Sequence, residues 1–562
     1  MKEQQKKKAA PVLVVLILIV LVGAAGIVSF LINRYKPGTE YMAGNEYFNL
    51  TDENSVALIQ NGELLEEQAV LIGGEPYAAY TYVESQLNSC FYWDEETKGI
   101  LLTTSGGVQT LLPGDAAVAK TPGGQPAVQQ ESDGTVYISL DVVKEYTDLD
   151  YAYYSDPNRV VIRNEWDGVE QATVQSDTAQ VRQKGGIKSL ILADVQKGDT
   201  LLYLENLDNW CKVMTADGYT GYIQTEDISE PEAIEARTAK KDSYERITRD
   251  HKINLVWHQS TSTESNDAMA EMTAEMTGVN VISPTWFSIS SNDGDISSLA
   301  SSDYVDTAHQ NDMEVWGLMD NFSTDIDTDT VLGTTTSREN LEGQLITEAL
   351  NYQLDGINID IESLPEETSE SYVQFMRELS VKCRNNNLVL SVDVPPPYSF
   401  NEHYSQKELG EVVDYVIIMG HDEHYVGSDA GSVASLSYER DGITGTLENV
   451  PKEKIISGIP FYTRLWKTNA SGEVSSEAIG MDKADQILSD YKVTAGWSSE
   501  TSQDYAEFTD EDGNFCQIWL ENEASIEEKM KLVQEYGLAG VAEWKLGFER
   551  SSIWDVIAKY VN

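Results

Sequence analysis

Cysteine is nearly absent: Cys90, Cys211, Cys383 and Cys516 are the only four in 562 residues. They stand too far apart for a CxxC metal or redox motif and are too few for a disulfide scaffold, so no structural disulfide is expected. Histidine is scarce too, with six residues, and only His421 and His424 come within ligand spacing, on a loop where they read as cleft residues. No HExxH, GxSxG or phosphate-cradling glycine loop occurs, so neither a metal nor a cofactor is required. Positive charge is the third shortage, 39 Lys plus Arg against 93 Asp plus Glu for a net −54. A chain so acidic repels phosphate backbones, which argues against nucleic acid as a partner. Apolar material is plentiful, 41% hydrophobic against 23% charged. The length alone implies roughly three or four folded units.

The first 36 residues run against the acidic trend, with Lys2, Lys6, Lys7, Lys8, Arg34 and Lys36 against Glu3 alone. Between the lysines and Arg34 lies an uncharged run of 23 residues, Pro11 to Asn33, long enough to cross a bilayer as a helix. A signal peptide normally has an apolar stretch of only about 7–15 residues, so an anchor is preferred, although Gly23-Ala24-Ala25-Gly26 would suit cleavage. The lysines should stay cytoplasmic and the remainder outside, a single-pass N-in topology with a 1–10 tail and an 11–33 span. Export with so little cysteine fits the surface of a single-membrane, thick-walled bacterium.

Residues 37–168 contain one pattern twice. GEPYAAYTYVESQLNSCFYWDEETKGILLTT (74–104) aligns with DGTVYISLDVVKEYTDLDYAYYSDPNRVVIRN (133–164), placing Tyr77 on Tyr137, Val83 on Val143 and Trp93 on Tyr153. Each copy reads strand, short helix, aromatic strand, turn, strand. It resembles the stalk-like repeats named after the amine oxidase N-terminal domain; no copper-ligand histidines lie within it, and a spacer role is favoured over ligand binding. Residues 170–229 resemble a bacterial SH3-type small barrel through Val181, Arg182, Gly198, Trp210, Val213, Gly218, Gly221 and Tyr222, with Trp210 either in a wall-binding groove or in the core. Residues 230–250 are charged, lack an apolar period and read as a linker.

From 251 to 562 short apolar runs alternate with amphipathic stretches: INLVWHQ, VNVISPTWF, MEVWGLM, LDGINIDIE, LVLSVDV, VDYVIIMG, IISGIPFY and LAGVAEWKLG. Eight such runs predict an α/β fold, a (β/α)8 TIM barrel whose chemistry sits at the C-terminal strand ends. An extra stretch at about 467–520, with a hairpin around Asp512-Gly513, is placed to wall one side of a cleft.

Within the fourth run, Asn358, Asp360 and Glu362 share one strand parity and Ile357, Ile359 and Ile361 the other. The outer face of a barrel strand packs on helices and takes the isoleucines, so the polar set points inward, climbing toward the mouth with Glu362 last. Stacking polar groups inside a barrel costs free energy unless they are paired. An acidic strand end lying in solvent would account for Glu362 but not for the two residues beneath it.

Asp355 to Glu362 is similar to the DGxDxDxE signature on the fourth strand of the family 18 glycoside hydrolases, with Asn358 in place of the middle Asp. MGHDEH (419–424), GIPFYTR (458–464) and Trp544 of AEWKLG resemble that family's later strand-end motifs. The Asn variant, Asp-Glu-His after strand six, and Asn321 where chitinases carry Ser-x-Gly-Gly resemble the spore-cortex branch, N-acetylglucosaminidases acting on peptidoglycan. The resemblance implies Glu362 as general acid and base, with Asp360, Asn358 and His421 completing the catalytic set. It implies Asp355, Asn321, Asp422, Tyr462, Arg464 and Trp544 as sugar contacts. His421 stands where the family usually has Tyr. Trp257, Trp286 and Trp316 read as core.

A retaining enzyme with two carboxylates needs them on opposite sides of the bond, about 5–5.5 Å apart. Asp360 shares a strand and a side with Glu362, at about 6.6 Å of strand rise. The substrate's own 2-acetamido oxygen is then the nucleophile, Asp360 steers the amide N–H, and Asn358 is expected to hold Asp360 ionised. The partner is peptidoglycan or a related N-acetylglucosamine polymer. Two alternatives remain: a weak or inactive wall-binding protein, suggested by His421, and a chitinase or endoglycosidase on other glycans. The missing Ser-x-Gly-Gly and the lack of a long chitinase-type insertion favour the wall.

Overall fold

The computed structural model describes residues 2–50, 52, 54–234 and 243–561, with side chains from Val14 onward. Residues 235–242 of the expected linker and the side chains of the 1–10 tail lie outside the described residues. The apolar run forms one helix, Lys2–Tyr35, of which Val14–Tyr35 is long and apolar enough to cross a membrane and has no buried residue.

The rest divides into two compact units. In the first, the repeat region and the stretch from Glu170 build two seven-stranded sheets. They share a core in which Phe48, Ala57 and Ile59 meet Leu202 and Met214. Arg159 is buried there beneath the rings of Phe48, Tyr154 and Tyr219 and pairs with Asp217 at 2.8 Å. The strand–helix–strand–strand order recurs in both repeat copies, as Glu75–Ala79 through Gly99–Thr104 and as Val136–Ser139 through Arg159–Arg163. The copies differ in where their hairpins pack. The second, Asp150–Tyr154 with Arg159–Arg163, joins the large sheet beside Ser55–Gln60.

The first hairpin, Phe91–Asp94 with Gly99–Thr104, belongs to the second unit together with the barrel. Tyr92 stacks under the Arg338 guanidinium and shares a hydrogen bond with Ser371 at 3.1 Å, and the Thr335 hydroxyl donates to Asp94 at 2.7 Å. The boundary expected at 37–168 is therefore crossed by the packing: these aromatic residues cover the barrel helix Ser369–Asn385, where the Gln374 amide donates to Thr103.

The barrel strands are β1 (Ile253–His258), β2 (Val281–Ile289), β3 (Glu314–Asp320), β4 (Gly356–Asp360), β5 (Val389–Val394), β6 (Tyr415–Met419), β7 (Ile455–Pro460) and β8 (Gly540–Trp544). All pair in parallel, each with its neighbour, and β8 closes on β1. The eight expected runs each became one strand. Period two sorts their side chains: Leu255, Trp257, Trp316, Leu318, Val389, Tyr415 and Ile417 fill the interior. Val315, Ile357, Ile359, Leu390 and Val392 pack outward on the helices.

Between β7 and β8 the chain leaves the barrel as a five-stranded sheet with one helix, Met481–Tyr491. The hairpin around Gly513, Gln503–Thr509 with Phe515–Leu520, forms two of its strands. This insertion starts at Tyr462 and has its own core of Leu465, Ile479, Leu488, Ala506 and Ile518. It is the extra stretch expected at about 467–520, begun five residues earlier.

Lys529 clamps the insertion to the barrel. It is buried and pairs with Glu439 at 2.8 Å and Glu521 at 3.1 Å. Lys529→Met strands two buried carboxylates, and a loss of about 3–5 kcal/mol is expected in denaturant unfolding.

Candidate active site

The C-terminal strand ends open into a cavity of about 600 Å³ lined by Trp257, Trp286, Asp320, Asp360, Glu362, Asp393, His421 and Trp544 among others. β4 carries Asn358 and Asp360 inward, as parity demands, and both are buried. Glu362, two residues beyond Asp360, is exposed at the mouth. Its neighbours still strip enough water to raise its pKa; the charges of Asp422 and Asp320 add to this, and His421 opposes it.

Asn321, at the end of β3, is spent on the Glu362 backbone. Its side-chain oxygen accepts the Glu362 N–H at 3.0 Å, and its amide donates to the Glu362 carbonyl at 3.0 Å and to Thr328 at 3.1 Å. Expected as a sugar contact, it is a clamp on the strand end. Asp355 is corrected further. It precedes β4 at the opposite end of the barrel, where its carboxylate accepts the Val315 N–H and meets His309, both at 2.8 Å. Five residues of strand separate it from Asp360, about 16 Å at the usual rise.

Asn358 also differs from expectation. Its oxygen accepts from the Trp257 indole at 2.9 Å and the Ser283 hydroxyl at 3.2 Å, which turns its amide toward Asp393, at 2.9 Å, and not toward Asp360. Asp360 is left with an unpartnered Oδ1. Burial, then the charges of Asp393, Glu362 and Asp320, push its pKa well above the usual carboxylate range. Burial likewise pushes Asp393 well above that range against the Asn358 bond, and it raises Asp320 against bonds from Phe322 and Ser288.

His421 stacks along Trp544, with centroids 6.4 Å apart, and turns Nδ1 to Asp422 at 3.2 Å. Burial would raise Asp422, but His421, Tyr462 and Arg464 outweigh it and hold its carboxyl low. Arg464 stands 3.8 Å from Asp422. Trp544 is half-buried over the cavity, where it edges Trp257 at 6.0 Å. Trp257 and Trp286 are buried yet reach the cavity wall, while Trp316 stacks on Tyr415 in the interior.

Asp320 and Asp393 were missed. Each sits at the inward parity of its strand, in EVWGLMD and VLSVDV, so the pattern that singled out β4 marks them as well. The assembly sets a proton-holding carboxyl, Glu362, at the mouth above a buried carboxyl, Asp360, with an oxygen open to a donor. Among the described residues no cluster of three or more His, Cys, Asp or Glu is arranged for a metal ion.

Residues 316–549 match the family described as Glycosyl hydrolases family 18, and residues 177–229 match Bacterial SH3 domain. YdhD of Bacillus subtilis, described as a candidate sporulation-specific glycosylase, is 30% identical over 229 residues, 40% of this chain and 54% of its own. The cortical fragment-lytic enzyme of Bacillus subtilis is 25% identical over 239 residues, 41% of this chain and 56% of its own. The chain thus spans about half the length of these two relatives. The crystal structure of the Bacillus cereus spore cortex-lytic enzyme SleL superposes with a TM-score of 0.52 at 20% identity, over 56% of this chain and 75% of that one, which supports the barrel fold.

A buried carboxyl raised by its surroundings binds its proton in the folded state where the unfolded chain has lost it. Its stability contribution is therefore present below about pH 4 and is lost as pH rises toward the folded pKa. Asp360→Asn should stabilise the chain by about 0.5–2 kcal/mol near neutrality. The gain should shrink toward zero in melts at acid pH.

Proposed function

From the premise that residues 316–549 are a glycosyl hydrolase family 18 domain, we propose that the barrel cleaves β-1,4 bonds at N-acetylglucosamine in peptidoglycan with retention, the substrate's acetamido group acting as nucleophile. The observation that carries this reading is the vertical order on one strand end: a carboxyl at the mouth with a raised pKa, and below it a buried carboxyl with an open oxygen. Glu362 gives its proton to the leaving oxygen as the acetamido oxygen closes on the anomeric carbon. Asp360 accepts the amide N–H and offsets the oxazolinium charge in a site where water competes poorly. Glu362, now a carboxylate, takes a proton from the water that opens the ring.

Trp544 offers its face to the sugar, and His421, with Nδ1 held by Asp422, directs Nε2 at the acetamido oxygen when the ring carries both protons. Asp422, Tyr462 and Arg464 form one linked group that binds sugar hydroxyls. The names of the relatives, glycosylase and cortical fragment-lytic enzyme, support a wall glycan as substrate. The exposed apolar helix Val14–Tyr35 supports a single-pass anchor that leaves the barrel and the SH3-type module outside the cell.

The full chain in detergent, incubated with purified peptidoglycan and with chitin oligomers, should release new reducing ends from peptidoglycan, identified by mass spectrometry. Glu362→Gln should lower the rate about 10²–10⁴-fold. No release, or equal release by the variant, overturns the reading; faster release from chitin moves the substrate to the chitinase alternative, and tight glycan binding without turnover favours the binding protein suggested by His421. Asn321→Ala should lower kcat about tenfold with little change in KM, because the side chain it removes is bonded to the Glu362 backbone and its loss loosens the acid.

A further inference from the structure

Acids wall the cavity, and the basic side chains His421 and Arg464 both lie against Asp422, at 3.2 and 3.8 Å. Lys545 is placed differently. It directly follows Trp544 at the end of β8, and the backbone on either side of it is fixed: the Trp544 carbonyl accepts the Phe461 N–H at 2.7 Å, and the Leu546 N–H donates to Trp257 at 3.0 Å. The half-buried side chain lies over the Phe548 ring at 4.5 Å and donates to the amide oxygen of Gln259, an exposed residue of the cavity wall just beyond β1. Burial and then the Lys545 charge bring His258 down to about 4, which sets that charge beside the end of β1. Burial alone acts on Lys545 itself, lowering its pKa, and among the described residues no acid pairs with it. In a chain of 93 acids and 39 bases, this ammonium at the cavity rim has a neutral amide as its partner. Gln259 takes one of the three N–H groups an ammonium carries, and a partly desolvated cation gains most from a carboxylate.

We propose that Lys545 determines substrate choice by pairing with a carboxylate borne by the sugar next to the cleaved N-acetylglucosamine. The inference rests on the proposed glycosidase reading and narrows its substrate. In peptidoglycan each N-acetylglucosamine has N-acetylmuramic acid on both sides, so the neighbour that reaches past Trp544 carries a 3-O-lactyl arm whichever way the strand runs. That arm ends in a free carboxylate once its stem peptide is removed, and in a peptide with carboxylates of its own before that. Chitin carries neither. A rim cation attracts the acidic glycan and offsets the repulsion from the acids in the wall, so it separates the two polymers without touching the reacting atoms.

The full chain in detergent and its Lys545→Met and Lys545→Arg variants are compared on peptide-free peptidoglycan strands, on strands with intact stem peptides, and on chitin oligomers. Lys545→Met should lower kcat/KM about five- to tenfold on an acidic glycan and by less than about twofold on chitin, with most of the loss restored in Lys545→Arg and the parent's preference shrinking as salt is raised. A loss on the peptide-free strands places the carboxylate on the lactyl arm; a loss on the intact strands alone places it on the stem peptide. Equal loss on chitin, as a packing role would give, or no loss on either acidic glycan overturns the proposal. If the parent turns over none of the three, the glycosidase reading fails, and calorimetric binding of the same glycans still decides the role of Lys545. A preference for the acidic glycans that Lys545→Met abolishes supports it, and the absence of that preference overturns it.

Discussion

A closed parallel barrel has no room for water among its inward side chains, and the cost of placing charge there governs this site. The interior is apolar through Leu255, Leu318, Val389 and Ile417. Near the mouth it changes to Asn358, Asp360, Asp393 and Asp320, all buried. Trp257 and Ser283 fix Asn358, and Asn358 fixes Asp393. Asp320 accepts from Ser288 and the Phe322 N–H, whereas Asp360 keeps an oxygen free. That free oxygen on the cavity wall is where a ligand's own donor can compensate.

The arrangement of Glu362 follows from the same cost. Its backbone is held on both sides by Asn321, an amide, so the clamp adds no charge beside a carboxyl whose pKa is already raised. Asp422 takes the other course: it is partly screened from water too, but His421, Tyr462 and Arg464 keep it ionised. Two acids near enough for the charge of Asp422 to raise Glu362 are thereby driven apart in protonation by what each touches.

Much of this was legible from the sequence because strand periodicity is strict. Eight apolar runs became eight strands, and the alternation in GINID placed Asn358 and Asp360 inward without any fold in hand. The same rule contradicts the role carried over for Asp355, which shares parity with Ile357 and Ile359 and so cannot join Asp360; the signature bundles a residue at the strand's entry with those at its exit. Asn321 was unreadable for another reason. Its bonds run to the backbone of residue 362, and a backbone partner leaves no mark in side-chain patterns. The repeat copies show the limit of local pattern: Trp93 and Tyr153 occupy equivalent strands, yet their hairpins pack in different units, because partner surfaces lie far off in sequence.

The Asn at 358 is best understood together with Asp393. An aspartate at 358 would lie beside Asp393 at the present 2.9 Å contact, with Asp360 two residues above on the same inward face, and three carboxyls would share one dry volume. Its oxygens would also meet the donors Trp257 and Ser283, which favour the charged form and would deepen the repulsion. An amide satisfies the same two donors, returns a donor of its own to Asp393, and carries no charge. Asparagine on β4 and aspartate on β5 are therefore a coupled choice: each is tolerable because of the other, and a change at either position alone alters the charge that Asp360 feels.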